Sequence, residues 1–195
     1  DGDGEDRPEE IKSFVDNLEY SPDIPIVGER VKRSENFMFK FCYLAHKLLT
    51  FSFTGHSIKF GNYTCISKSI VQKMVNEKAT WSSFSGSLAK VAKNRTAVPS
   101  VRGQRHFGPS KMNFNNLIKH SLSIIAVFKF NVLVRSIFFL AVYLFFISAN
   151  ISLITLIPIP LVIIMNISVF LISNRENLNE YNNSLKNIDN INIIR

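Results

Sequence analysis

Apolar residues recur at helical spacing in some stretches of this chain, fill short runs in others, and toward the C-terminal end leave almost no room for polar ones. Behind Pro8-Glu9-Glu10, the residues Ile11, Phe14, Val15 and Leu18 fall at i, i+3, i+4 and i+7. That spacing predicts a helix to about Tyr20, with proline near its first position and acids in its first turn. Ser21-Pro22-Asp23 reads as a turn, and residues 24–31 as a short strand whose far end delivers Arg30, Lys32 and Arg33. Over residues 35–53, Phe37, Met38, Phe41, Leu44, Ala45, Leu48, Leu49 and Phe53 return at helical spacing with Lys40 and Lys47 among them. This is an amphipathic basic helix, and its pattern fits two settings equally, a protein core or a membrane surface.

Thr54-Gly55 ends that helix, and Phe60-Gly61-Asn62 reads as a tight turn before a strand at 63–66. Ser67 then caps a helix to Val75, and a further helix is expected at 82–93. Residues 96–101 have strand character interrupted by Pro99, which confines them to a sheet edge. A basic loop broken by glycine and proline follows at 102–111, and loops of this kind carry function more often than cores do. Beyond it, Phe114, Leu117, Ile118, Leu122, Ile125 and Phe128 share one helical face with Lys119, His120 and Lys129 around it, the pattern of an interfacial helix.

From Ser136 to Asn174 there is no charged residue. As helix, these 39 residues would measure about 58 Å, close to two crossings of a hydrocarbon layer about 30 Å thick. Two spans are expected, at 132–149 and 156–173. Lys129 and Arg135 precede them and Arg175 follows, while the hairpin tip is uncharged, so the positive-inside rule sets both ends in the cytoplasm. In the tail, Leu178, Tyr181, Leu185 and Ile188 predict at most a frayed helix. The chain thus divides into a globular part at 1–112, an interfacial amphipathic helix at 113–131, a transmembrane hairpin at 132–174 and a cytoplasmic tail at 175–195.

Charge sharpens this division. Residues 1–35 hold 11 of the 15 acids and 5 of the 23 bases, whereas residues 36–135 hold 15 bases and one acid, Glu77. The overall +8 therefore conceals two opposed halves. No nucleic-acid motif accompanies the basic stretch, and an anionic leaflet with a phosphate substrate accounts for its charge. Cys42 and Cys65 have no second pair, which predicts free thiols rather than a zinc site or disulfide framework. His46, His56, His106 and His120 share no i, i+4 or H-x-H spacing, so no metal role is expected of them.

The opening Asp1-Gly2-Asp3-Gly4-Glu5-Asp6 sets carboxylates at alternate positions in a glycine-broken segment, an arrangement that can converge on a hard cation. A calcium loop would require Gly at its sixth position and Glu at its twelfth, where this chain has Asp6 and Lys12. Continued through Arg7-Pro8-Glu9-Glu10-Ile11, the segment resembles the D-x-D-x-Q…P-E motif of family 2 glycosyltransferases, in particular polyprenyl-phosphate (dolichol- or undecaprenyl-phosphate) hexosyltransferases. Val27-Gly28-Glu29-Arg30-Val31-Lys32-Arg33 is similar to the G-x-R-x-x-R strand end that follows in that family. Phe60-Gly61-Asn62-Tyr63 resembles its G-D/N-F turn, and the run Gln104 to Met112 its R-x-x-G-x-S-K-Y/M loop. Two membrane helices follow that loop in many members. The resemblance covers about residues 1–173.

It implies an α/β fold, the C-terminal half of a truncated GT-A-like domain, followed by the interfacial helix and the two-helix hairpin. The nucleotide-binding first half is then expected upstream of Asp1, in a longer protein, and the segment by itself is expected to be inactive. Asp1, Asp3 and Glu5 (Glu5 in place of the usual Gln) would approach a Mg²⁺ or Mn²⁺ on the donor diphosphate, with Asp3 and Asn62 at the catalytic positions. Arg30, Arg33, Arg105 and Lys111 would face substrate phosphates, where a guanidinium fork suits phosphate oxygens. Asn62 stands where many members have an acid and cannot serve as a general base. This favours an acceptor that needs none, such as a lipid phosphate, in a membrane-anchored hexosyltransferase using a nucleotide-sugar. A saccharide acceptor in surface-polysaccharide synthesis is the neighbouring expectation. A non-catalytic two-span protein binding anionic lipid or a partner is the reading from another class. Whether the protein is a homo-oligomer is not legible.

Overall fold

The computed structural model describes residues 5–32, 37–101, 103, 113–175, 179 and 183. After a single 3-10 turn at Pro8–Glu10 come α1 (Ile11–Tyr20), β1 (Ile26–Lys32), α2 (Phe37–Thr54), β2 (Phe60–Cys65), α3 (Lys68–Val75) and, past a second 3-10 turn, α4 (Phe84–Val91). β3 (Thr96–Val101), α5 (Phe114–Ala126), α6 (Lys129–Ile147), the one-turn α7 (Leu153–Leu156) and α8 (Pro158–Ser173) complete the order. The result is a mixed helix and sheet fold with two long apolar helices at its C-terminal end.

The sheet has three strands in the order β2-β1-β3, with β2 antiparallel and β3 parallel to the central β1. Ile26 and Val27 are neighbours on β1 and both are buried, because successive side chains point to opposite faces and both faces are covered. Ile26 joins Phe14 of α1 and Val98 of β3 on one face. Val27 joins Ile70 and Met74 of α3 and Leu88 of α4 on the other. Pro99 sits exposed on β3, an edge strand, where its missing N–H costs no ladder bond.

One boundary departs from the sequence pattern. Phe60, Gly61 and Asn62 were expected to form a turn, yet they open β2, and Phe60 pairs with Glu29. The ladder jumps between Val27 and Glu29, and Gly28 lies opposite the jump. A Cβ on Gly28 would stand 3.0 Å from the Tyr63 ring and 3.3 Å from the Phe14 ring. The bulge survives because Gly28 leaves that space to Tyr63, whose ring packs on Phe14 at 4.7 Å.

The sheet is joined to the long helices through α4 and α5. Ala89 of α4, Ile124 and Val127 of α5 and Phe128 form one buried cluster with Ile58. Gly86 allows the approach, since a Cβ there would lie 2.8 Å from Val127 Cγ2 and 3.2 Å from the Ile124 carbonyl oxygen. Past this joint, Ile125 and Ala126 pack with Phe53 of α2, Val132 of α6 and Val169 of α8. The helix expected at the membrane interface is therefore enclosed by protein over its second half, while Phe114 and Ile118 in its first half are exposed.

Three polar contacts tie α6 to the returning chain, two to α8 and one to α7. Lys129 Nζ donates to Ser173 Oγ at 3.4 Å, Asn166 Nδ2 to Ser136 Oγ at 2.8 Å, and the Tyr143 hydroxyl to the Thr155 carbonyl at 2.8 Å. The apolar segments Lys129–Ile147 and Leu153–Ser173 are each long enough to cross a membrane. The first begins three residues before the expected span. The second begins at Leu153 rather than 156, because Ser152 and Thr155 form a capping box one turn ahead of Pro158.

Candidate functional site

β1 and β3 are parallel and end together, with Arg30 opposite Ser100 and Lys32 opposite Val101. In sheets of this kind ligands sit beyond the carboxyl ends of parallel strands. The segment at residues 5–10 crosses that end and is tied down at three points. The Gly103 N–H donates to the Glu5 carbonyl at 2.7 Å, the Val101 N–H donates to Glu10 Oε1 at 2.9 Å, and the Tyr63 hydroxyl donates to the Arg7 carbonyl at 2.7 Å. Acid segment, strand ends and the entrance to the basic loop thus meet at one edge of the sheet.

Tyr63 and Glu10 make this junction, and neither was singled out in the sequence. Burial holds the Tyr63 phenol above its ordinary pKa, and Glu10, Asp6 and Glu9 push the same way. It therefore stays a neutral donor at physiological pH. Among the described residues Glu10 Oε2 is buried without a hydrogen-bond partner, so this carboxylate lends one oxygen to the backbone of β3 and keeps a second acceptor beside it. The signal for Tyr63 was present as the aromatic of the Phe60-Gly61-Asn62-Tyr63 motif. Glu10 was legible only as a member of the Pro8-Glu9-Glu10 motif, and its bond to Val101 was not, because that partner lies 91 residues away.

Of the predicted site residues, Glu5 is at the junction. Arg30 contributes the last central rung of β1, and only its backbone is described. Asn62 is exposed on β2 next to Tyr63. Asp1, Asp3, Arg33, Arg105 and Lys111 lie outside the described residues, as does His106. Among the described residues no three histidine, cysteine or acidic side chains form a metal-binding group. Neighbouring Glu29 and Lys59 pair at 3.5 Å across β1 and the approach to β2, and both are exposed enough for water and salt to weaken the pair.

A second cluster lies where α2 meets α5 and α6. Gly55 has φ +78° and ends α2, and its N–H donates to the Phe51 carbonyl. The last carbonyls of the helix are met from α6: Arg135 Nη1 donates to Ser52 at 3.0 Å and Asn131 Nδ2 to Thr54 at 3.3 Å. Arg135 also sets its guanidinium against Gly55, where any Cβ would be 2.7 Å away. A cation here complements the negative end of the α2 dipole. His56 stacks on Phe128 at 4.4 Å, and its pKa is lowered by burial and by Arg95, Arg135 and Lys93.

No protein-family model, curated protein or solved structure matches the chain.

Proposed function

We propose that this chain forms the acceptor end of a membrane-anchored family 2 glycosyltransferase of GT-A type, which moves a hexose from a nucleotide-sugar to a polyprenyl phosphate. The observation that carries the reading is the junction at the carboxyl ends of β1 and β3. There the acid segment, the Arg30 strand end and the entrance to the loop holding Arg105 and Lys111 meet through the Glu5–Gly103 and Glu10–Val101 bonds. The described parts of the motifs, residues 5–10, β1 through Arg30 and Tyr63 of β2, lie together there, which supports reading them as one site.

The chemistry is a displacement at the anomeric carbon of the sugar. The bond from that carbon to the nucleotide diphosphate breaks and a bond to the acceptor phosphate oxygen forms, with inversion. A phosphate monoester has its second pKa at about 6 and is largely dianionic at pH 7, so it attacks without a base and Asn62 suffices where an acid is absent. Asp1, Asp3 and Glu5 would hold a Mg²⁺ or Mn²⁺, which would offset the charge developing on the leaving diphosphate. Arg30 and Arg33 would bind donor phosphate, and Arg105 with Lys111 the acceptor phosphate.

The deciding experiment offers the intact protein both substrates with each varied in turn. Arg105→Lys keeps the charge and loses the bidentate fork, so it should raise the KM for polyprenyl phosphate more than that for the nucleotide-sugar. Arg105→Ala should be worse on the same parameter, by about 1.5 to 3 kcal/mol for one charge-assisted hydrogen bond. A defect confined to the nucleotide-sugar would move Arg105 to the donor side. Transfer to a saccharide alone would replace the acceptor class.

Topology is tested separately. Single cysteines near residues 115 and 180 should react with a membrane-impermeant reagent only from the cytoplasmic side, and one at position 150 only from the other. Opposite accessibility of the two ends would leave one span.

A further inference from the structure

α2 is built inside out for a helix in water. Beside the buried Phe53, its inward face carries Thr50 and Thr54, each 1% exposed, and His46. The Thr54 hydroxyl donates to the Thr50 carbonyl, and the Thr50 hydroxyl lies 3.3 Å from His46 Nδ1. Its outward face carries Phe41, Leu44, Leu48 and Phe51, between 52% and 61% exposed, at i, i+3, i+7 and i+10. On a 3.6-residue repeat these four form one continuous stripe. Polar residues satisfy one another inside while large apolar ones stand outside, which water does not favour.

What covers the stripe is indicated by its neighbour. α2 packs along α6, the first apolar helix, with the Phe53 and Phe139 rings in edge contact at 5.6 Å. Phe139 lies past Ser136, inside the uncharged stretch, and Phe138 and Val142 beside it are exposed on α6. Arg135 and Asn131, the last polar side chains before that stretch, are turned onto the C-terminal end of α2. The end of α2 is therefore fastened at the polar boundary of α6, with its apolar stripe turned away from the Phe53 contact. We infer that α2 is a third membrane-seated element, with Phe41, Leu44, Leu48 and Phe51 buried in the interfacial layer of the lipid bilayer on the side where α6 begins. The bilayer, rather than a protein partner, is the occupant, because Arg135 and Asn131 fasten α2 to the start of a helix long and apolar enough to cross it.

This inference rests on the reading of α6 and α8 as membrane spans, and the test separates the two. The full chain, with Cys42 and Cys65 changed to serine, is placed in phosphatidylcholine–phosphatidylglycerol vesicles, and a nitroxide is attached at Leu48→Cys, Phe138→Cys or Asn76→Cys. Collisions with oxygen, which concentrates in lipid, are compared with collisions with a water-soluble nickel chelate. The Leu48 label should favour oxygen several-fold over the Asn76 label and show a shallower depth than the Phe138 label. A lipid signal at Phe138 with an aqueous signal at Leu48 would overturn the seating of α2 while leaving the spans intact. An immobile Leu48 label shielded from both reagents would overturn it in favour of a protein partner. Aqueous signals at both positions would overturn the spans, and the seating with them.

Discussion

Asp3→Ala in the intact protein is expected to abolish most of the metal-dependent transfer, by about 10²- to 10³-fold, the scale seen when one preorganised electrostatic contact to a transition state is removed. The acids at 1, 3 and 5 alternate in a glycine-broken segment, and Glu5 is fixed at the strand ends by the Gly103 N–H. Glu5→Gln is the matched control, because the resembling family carries Gln there. It should retain most activity while removing the same unit of charge, so that a loss confined to Asp3 reports metal binding rather than net charge. Membrane insertion, measured by resistance to alkaline extraction, should be unchanged in both variants. Full activity of Asp3→Ala would remove the metal from the mechanism.

Gly86→Val should cost about 1 to 3 kcal/mol of stability and loosen the joint between sheet and hairpin. Replacing an interior helix glycine by alanine ordinarily gains about 1 kcal/mol. Here the new Cβ would meet Val127 Cγ2 at 2.8 Å and the Ile124 carbonyl oxygen at 3.2 Å, and the carbonyl belongs to the backbone of α5 and cannot rotate away. The gain is therefore consumed by separation of the two helices. Val127→Ala removes the nearest atom and should restore part of the loss in Gly86→Ala, which makes the pair a double-mutant cycle with a non-zero coupling. Thermal unfolding in detergent reads the stability, and hydrogen exchange at Ile124 to Phe128 locates the change. Equal stability of Gly86→Val and the parent chain would show that α4 and α5 are free to part.

Much of this architecture was legible because local pattern and tertiary burial agree. The stripe of α1 lands Phe14 on the sheet, the Ile26-Val27 pair marks a strand covered on both faces, and Pro99 falls on the edge strand. The two apolar helices follow from the missing charges alone. Elsewhere the deciding partners were distant in sequence. Phe60-Gly61-Asn62 has turn composition, and only pairing with Glu29 and the space at Gly28 make it strand. The strap at the strand ends depends on Tyr63 and Glu10, which reach across 56 and 91 residues. On α2 both faces carry residues that a core would accept, so periodicity could not say which faced inward until Thr50 and Thr54 were found buried and Leu48 was not. The metal and phosphate residues were legible only through motif resemblance, since their chemistry depends on convergence that no local period encodes.

The cap on α2 sets an order of events during synthesis. Its Ser52 and Thr54 carbonyls are held by Arg135 and Asn131, which leave the ribosome 83 and 77 residues later. At about 5 to 20 residues per second that delay is about 4 to 16 s. For that interval the helix ends in open carbonyls and the polar side of its fold has nothing to close against. The end of α2 is closed only when the start of α6 has arrived, so this joint is among the late contacts of the fold.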